Sequence, residues 1–246
     1  MAEKIDFGVW MPYAIPFPPW EYKGAKMWAT SFKLKEKIPL PEPLEHLDPP
    51  YGAMAFATYD TTDIGPYDEL LLYVFAKDKR TGTKGLFCPL VYVNSENAYL
   101  GGRDMWGFNK KFAEFEFYIG EKMVSATMYR KKFVDKEGER LVDLVMEIGD
   151  DMTVEDMREP WPIFVYWVYK PIFTPRESEV HLSCQLVEMS PPFNLLKFKK
   201  AQVVEAKVYP TDDDPIGMFL PEEDTFGWYA ELDMTFVPGK VSWESK

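Results

Sequence analysis

Two adjacent lysines, Lys110 and Lys111, stand in the stretch Gly101-Gly102-Arg103-Asp104-Met105-Trp106-Gly107-Phe108-Asn109-Lys110-Lys111-Phe112. An ordinary lysine is protonated near neutral pH and is a poor nucleophile. Burial among aromatics such as Trp106, Phe108 and Phe112 disfavours the ammonium form, and a second cation close by disfavours it further. Both effects free an amine to attack a ketone and form an imine. Spacing alone does not single this pair out. Lys131-Lys132 and Lys199-Lys200 are also adjacent, and lysines are mostly solvated.

Other side chains could serve the same chemistry. Arg103 has the planar fork that clamps a carboxylate, or it pairs with Asp104. Tyr67, Tyr92 and Tyr229 could move a proton beside an imine, or fill a core with their hydroxyls satisfied. Trp106 and Phe108 read as the apolar wall that desolvates the amine. His46 and His181 are the only histidines, too few for a convincing metal site, so no metal and no cofactor is expected. Gly101-Gly102 reads as a turn, since no strand–GxGxxG–helix context surrounds it. Thr211-Asp212-Asp213-Asp214-Pro215 lacks the spaced ligands of a calcium loop.

These residues need strands to hold them. Leu70–Phe75 and Leu90–Val93 are short apolar runs, as in strands buried on both faces. Glu114-Phe115-Glu116-Phe117 alternates, with the Phe pair on one face and the Glu pair on the other. Asp135-Lys136-Glu137-Gly138 reads as a hairpin turn leading into Leu141–Val145. Further strands are expected at 164–169, 180–187, 202–208 and 229–236. Helices look few and short. Thr153 begins a capping box closed by Asp156, and 103–111 is left between helix and loop. Residues 1–50, with Phe17-Pro18-Pro19-Trp20 and Pro39–Leu44, read as an extended arm packed on the body or on a neighbouring subunit. The class is mostly β: a single domain over 1–246, its antiparallel sheet closed into a barrel or cone.

The net charge of −12 opposes binding to nucleic acid or an anionic membrane. Cys88 and Cys184 make no disulfide framework. The first residues lack the apolar core of a signal peptide, and no apolar run is long enough to span a bilayer. The expected compartment is the cytoplasm.

Gly-Arg-Asp-Met-Trp-Gly-Phe-Asn-Lys-Lys resembles the signature of the acetoacetate decarboxylase family, a Gly-Arg-Glu run leading to an aromatic and Pro-Lys-Lys. Pro41-Glu42-Pro43-Leu44-Glu45 and Asp60–Glu69 resemble the family's Pro-Glu-Pro-Leu-Glu and its Asp-Thr-Ser-Gly run closing on Tyr-x-Glu. Tyr92–Glu96 falls in register with a further segment. The resemblance covers about 40–115 and implies a cone-like β fold, homo-oligomers and a small keto acid as substrate. It implies that Lys110 forms the Schiff base, that Lys111 is the neighbouring cation and that Glu69 is the active-site acid. Acetoacetate decarboxylase is itself the standing example of a lysine activated by a nearby cation. Two positions depart from the pattern. Counted without gaps, Tyr22 stands where the family has an arginine and Met54 where it has a second glutamate. The expected activity is decarboxylation of a β-keto acid. The alternatives are an aldolase or dehydratase acting on a pyruvate-type keto acid through the same imine, and a non-catalytic binding barrel.

Overall fold

The computed structural model describes residues 15–131, 138–157, 165–176, 179–212 and 214–245. Most of the expected turn at Asp135–Gly138 lies outside them, as do Asp213 and the side chain of His181. The chain runs through β1 (Trp20–Leu34), β2 (Leu44–His46), β3 (Tyr51–Tyr59), β4 (Thr61–Thr62), β5 (Tyr67–Asp78), β6 (Lys84–Val93), helix α1 (Glu96–Gly101), β7 (Lys110–Ile119), β8 (Met123–Arg130), β9 (Glu139–Asp151), β10 (Tyr166–Arg176), β11 (Glu179–Met189), β12 (Phe193–Val208), β13 (Pro221–Phe236) and β14 (Lys240–Glu244). Among the described residues no helix is long and apolar enough to cross a membrane.

Nine strands close a ring in the order β6-β7-β8-β9-β12-β13-β1-β3-β5 and back to β6, as a mostly β single domain should when it removes its sheet edges. Eight of these pairings are antiparallel and β6–β7 is parallel. Side chains alternate across each strand, which divides the apolar residues into two main sets. One set draws on all nine ring strands and fills the ring; it includes Trp28, Met54, Leu70, Leu72, Tyr92, Leu144 and Tyr229. The other lies on the outer faces of β1, β3, β5, β6 and β13, under Trp106, Phe108 and parts of β10 and β11. The runs Leu70–Phe75 and Leu90–Val93 are buried on both faces for this reason.

The reading of 1–50 as arm and loop needs correction. Trp20–Leu34 is a 15-residue strand in the ring, paired with β13 and β3. Its period is masked by Glu21, Lys23 and Lys26 and broken at Gly24, where φ is 61° and the register with β13 shifts between Tyr22 and Ala25. That is a bulge, and it resets which residues face outward. Strands β12 and β13 also extend well beyond 202–208 and 229–236, because lysines interrupt the apolar pattern of 193–200. The capping box at Thr153 forms: its N–H donates to Asp156 Oδ2 at 2.7 Å.

Candidate active site

Parallel neighbours cannot be joined by a tight turn and need a crossover. Between β6 and β7 this crossover is α1, capped by the Ser95 side chain, followed by one π turn over Gly102–Trp106. Such π turns recur at functional sites. Gly101-Gly102 is therefore helical rather than a turn. The π turn stops at Gly107, whose φ of 90° suits glycine and where a Cβ would lie 2.8 Å from the Lys170 Cα. Lys170 Nζ donates to the carbonyls of Asp104 (2.6 Å) and Met105 (3.2 Å), fixing the turn's exposed end. Trp106 anchors the other side by donating to Val237 O at 3.0 Å.

The crossover delivers Lys110 as the first residue of β7, in register with Val91 of β6. On the opposite edge of β6, Glu69 of β5 is in register with Val93. Two residues apart means the same face, so the two long side chains meet above β6. Lys110 Nζ lies 2.8 Å from Glu69 Oε1, and the residues are 8% and 4% exposed. Tyr59 donates to the other oxygen, Oε2, at 3.3 Å, and the hydroxyls of Tyr22 and Tyr67 are 3.1 Å apart. The amine also lies 5.4 Å from the Phe108 ring and 5.9 Å from that of Tyr67. Burial raises the pKa of Tyr59, Tyr67 and Tyr22, and the Glu69 charge raises all three further. These phenols remain protonated and can donate. The ensemble opens on a cavity of about 120 Å³ walled by Trp106, Phe108, Tyr166 and outward residues of β1, β5, β12 and β13.

The sequence matches the family model of acetoacetate decarboxylase over residues 11–242. The chain belongs to the acetoacetate decarboxylase family. Acetoacetate decarboxylase from Legionella pneumophila subsp. pneumophila str. Philadelphia 1 superposes with a TM-score of 0.78 at 18% identity, over 93% of this chain and 89% of that one. An acetoacetate decarboxylase-like enzyme from Sphingomonas wittichii RW1 gives 0.72 at 15%, over 97% and 98%. The enduracididine biosynthesis enzyme MppR, complexed with the condensation product of pyruvate and imidazole 4-carboxaldehyde, gives 0.70 at 15%, over 92% and 90%. At these identities the likeness is one of fold. No curated protein matches the sequence.

Of the residues singled out from the sequence and the family pattern, Lys110, Glu69, Trp106 and Phe108 share the chamber wall, together with Tyr67. Five others do not face it. Lys111 follows Lys110 on a strand, so it points to the opposite face, where its Nζ meets Asp214 Oδ2 at 3.0 Å. Tyr92 is on that face too and donates to Asp214. Met54 is buried inside the ring, because the outward residues of β3 are Ala53, Ala55, Ala57 and Tyr59. Arg103 is exposed, with its guanidinium over the Tyr99 ring and Nη1 donating to Tyr99 Oη at 2.5 Å. Tyr229 belongs to the ring interior and donates to Glu231 at 2.8 Å. The sequence reading missed Tyr59 and the wall from β12 and β13. Tyr22, noted only as a lost arginine, does line the chamber.

Gly102 has a packing role that its helical φ of −63° does not reveal. A Cβ there would lie 2.4 Å from Lys110 Cε and 3.0 Å from Nζ. Gly102→Ala suits the backbone, so its melting temperature should stay near that of the parent. The amine must move, and a displacement near 1 Å costs on the order of 10²-fold in turnover. Steady-state kinetics alongside a thermal melt tests this. A large fall in stability with unchanged activity per folded molecule would refute it.

Proposed function

We propose that Lys110 forms a Schiff base with a keto acid and that the reaction is decarboxylation of a β-keto acid. The observation that carries this reading is a buried lysine facing a chamber with a carboxylate 2.8 Å from its nitrogen. Glu69 takes a proton from Nζ. The amine adds to the ketone carbon, and the carbinolamine loses water to give a protonated imine. The bond to the carboxylate carbon then breaks. CO₂ departs, and its bonding pair moves into an enamine as the iminium charge is neutralised. This charge flow is what the imine stabilises in the transition state. The proton held on Glu69 leaves with the carbinolamine hydroxyl as water, so a phenol of the Tyr22–Tyr67 pair protonates the enamine carbon and regains its proton from solvent. Water then hydrolyses the new imine and frees the lysine.

A second reading has a specific support. Among the described residues, no arginine lines the chamber, and Lys110 is its one cationic side chain. A site without a separate clamp for a leaving carboxylate suits a pyruvate-type keto acid whose enamine is captured by an aldehyde. The structure of MppR with a condensation product belongs to a protein of the same fold. The assembly is proposed to be a homo-oligomer. Phe173 and Leu182 support this, as directly paired residues of β10 and β11 that are both exposed.

The deciding experiment is reduction with cyanoborohydride in the presence of β-keto acids and pyruvate, followed by peptide mass mapping and CO₂ measurement. An adduct on Lys110 with CO₂ release is expected. An adduct without CO₂ selects the condensation reading. Binding without any adduct would mean a non-catalytic barrel.

A further inference from the structure

Two register rows cross the sheet face that carries the chamber. Glu69 of β5 lies opposite Ala57 of β3, Ala57 opposite Met27 of β1, Met27 opposite Ala230 of β13, and Ala230 opposite Phe198 of β12. The adjacent row is Leu71, Ala55, Ala29 and Trp228. Of these residues Glu69, Leu71, Met27, Ala230, Trp228 and Phe198 line the chamber. Met27 is the one long side chain between the ends, and methionine adapts readily to a ligand. The chamber is thus a trough whose lining reaches from Glu69 to Phe198 by way of Met27 and Ala230, four strand spacings or roughly 19 Å at about 4.8 Å each.

The trough is polar at one end only. The ion pair and the hydroxyls of Tyr22, Tyr59 and Tyr67 cluster about Glu69. The far wall is Leu195, Phe198, Leu232 and Met234, and Glu69 and Lys110 are the charged side chains of the whole lining among the described residues. A ligand as short as acetoacetate would occupy the first part of this length and leave the rest without a partner. We infer that the substrate is a keto acid carrying a large apolar group, aryl or medium alkyl, on the side of its carbonyl away from the carboxylate. The carbonyl meets Lys110 and the apolar group lies past Met27 and Ala230 toward Phe198. This inference rests on the imine reading above.

The test compares cyanoborohydride trapping rates for acetoacetate, 3-oxooctanoate and 3-oxo-3-phenylpropanoate, with adducts mapped to Lys110. Each methylene buried in an apolar site is worth up to about 4-fold in affinity. The pentyl and phenyl compounds should therefore label at low concentration at least ~10-fold faster than acetoacetate. Equal or faster labelling by acetoacetate overturns the inference and leaves the imine reading intact. No adduct with any of the three overturns both. Leu195→Asp then locates the apolar end. Leu195 is half-buried, so the variant should fold, and the pentyl-to-methyl rate ratio should fall by ~10-fold. An unchanged ratio in a variant with the parental melting temperature would remove the trough as the binding path. Should this variant not fold, Leu195→Ala should lower the same ratio by a smaller factor, and an unchanged ratio there would refute the path equally.

Discussion

Lys110→Met abolishes imine trapping and lowers turnover by roughly 10⁴-fold or more, the scale on which loss of a covalent nucleophile falls. The same change destabilises the protein. Glu69 is buried and Lys110 is its cationic partner at 2.8 Å. Removing one member of such a pair leaves an uncompensated charge and costs about 3–5 kcal/mol. The double variant Lys110→Met/Glu69→Leu removes both charges, so its melting temperature should recover most of the loss while activity stays absent. Separate measurement of trapping and melting divides the two roles. Lys110→Met that still accumulates an adduct on the same β7 peptide would place the nucleophile elsewhere. A double variant no more stable than the single would mean the pair is not energetically coupled.

The lysine doublet shows how far the sequence carries and where strand geometry takes over. The family resemblance put Lys110 and Glu69 in one site, and the structure brings Lys110, Glu69, Trp106 and Phe108 to one chamber. Adjacency in sequence suggested that Lys111 also faces Lys110. A strand reverses direction at every residue, so Lys111 points instead to Asp214, beside Tyr92. Lys111→Met should therefore leave trapping at Lys110 within a few-fold of the parent. It should lower stability by about 1–3 kcal/mol, the cost of an under-satisfied buried polar group, read from denaturant unfolding. Loss of trapping in a folded Lys111→Met protein would restore the sequence-based pairing.

Register accounts for the rest of what was hidden. The strands with plain period-two or apolar runs, such as 70–75, 90–93 and 114–117, were legible. β1 was not, because the bulge at Gly24 and three charged residues break its period just where it crosses the chamber. Misreading β1 concealed Tyr22 and Met27 as wall residues. Met27 and Ala230 meet in the lining only because pairing sets β1 beside β13. Met54 failed for the same reason, since a gapless count cannot tell which face of a strand a position occupies. Closure of the β6–β7 crossover was likewise invisible, because the parallel pairing that requires it leaves no local signal.

Glu69→Gln should slow imine formation by about 10²- to 10⁴-fold, the range for a positioned general base, while leaving the final trapping yield near that of the parent. The nucleophile is intact in this variant, so what it loses is the acceptor for the Nζ proton. In the parent, Oε1 accepts from Lys110 and Oε2 from Tyr59. A glutamine keeps the volume but offers one acceptor and an NH₂ group, so only one of these donors retains its partner. The proton must then leave to solvent, and the trapping rate should rise steeply with pH in the variant more than in the parent. Glu69→Asp keeps a carboxylate one methylene further back and should fall between the two. A structural role for Glu69 predicts otherwise: lower yield through unfolding, parental rates in the folded fraction, and no new pH dependence. Parental rates in Glu69→Gln at every pH would assign proton removal to another group, and the Tyr22–Tyr67 pair would be the first to test by substitution with phenylalanine.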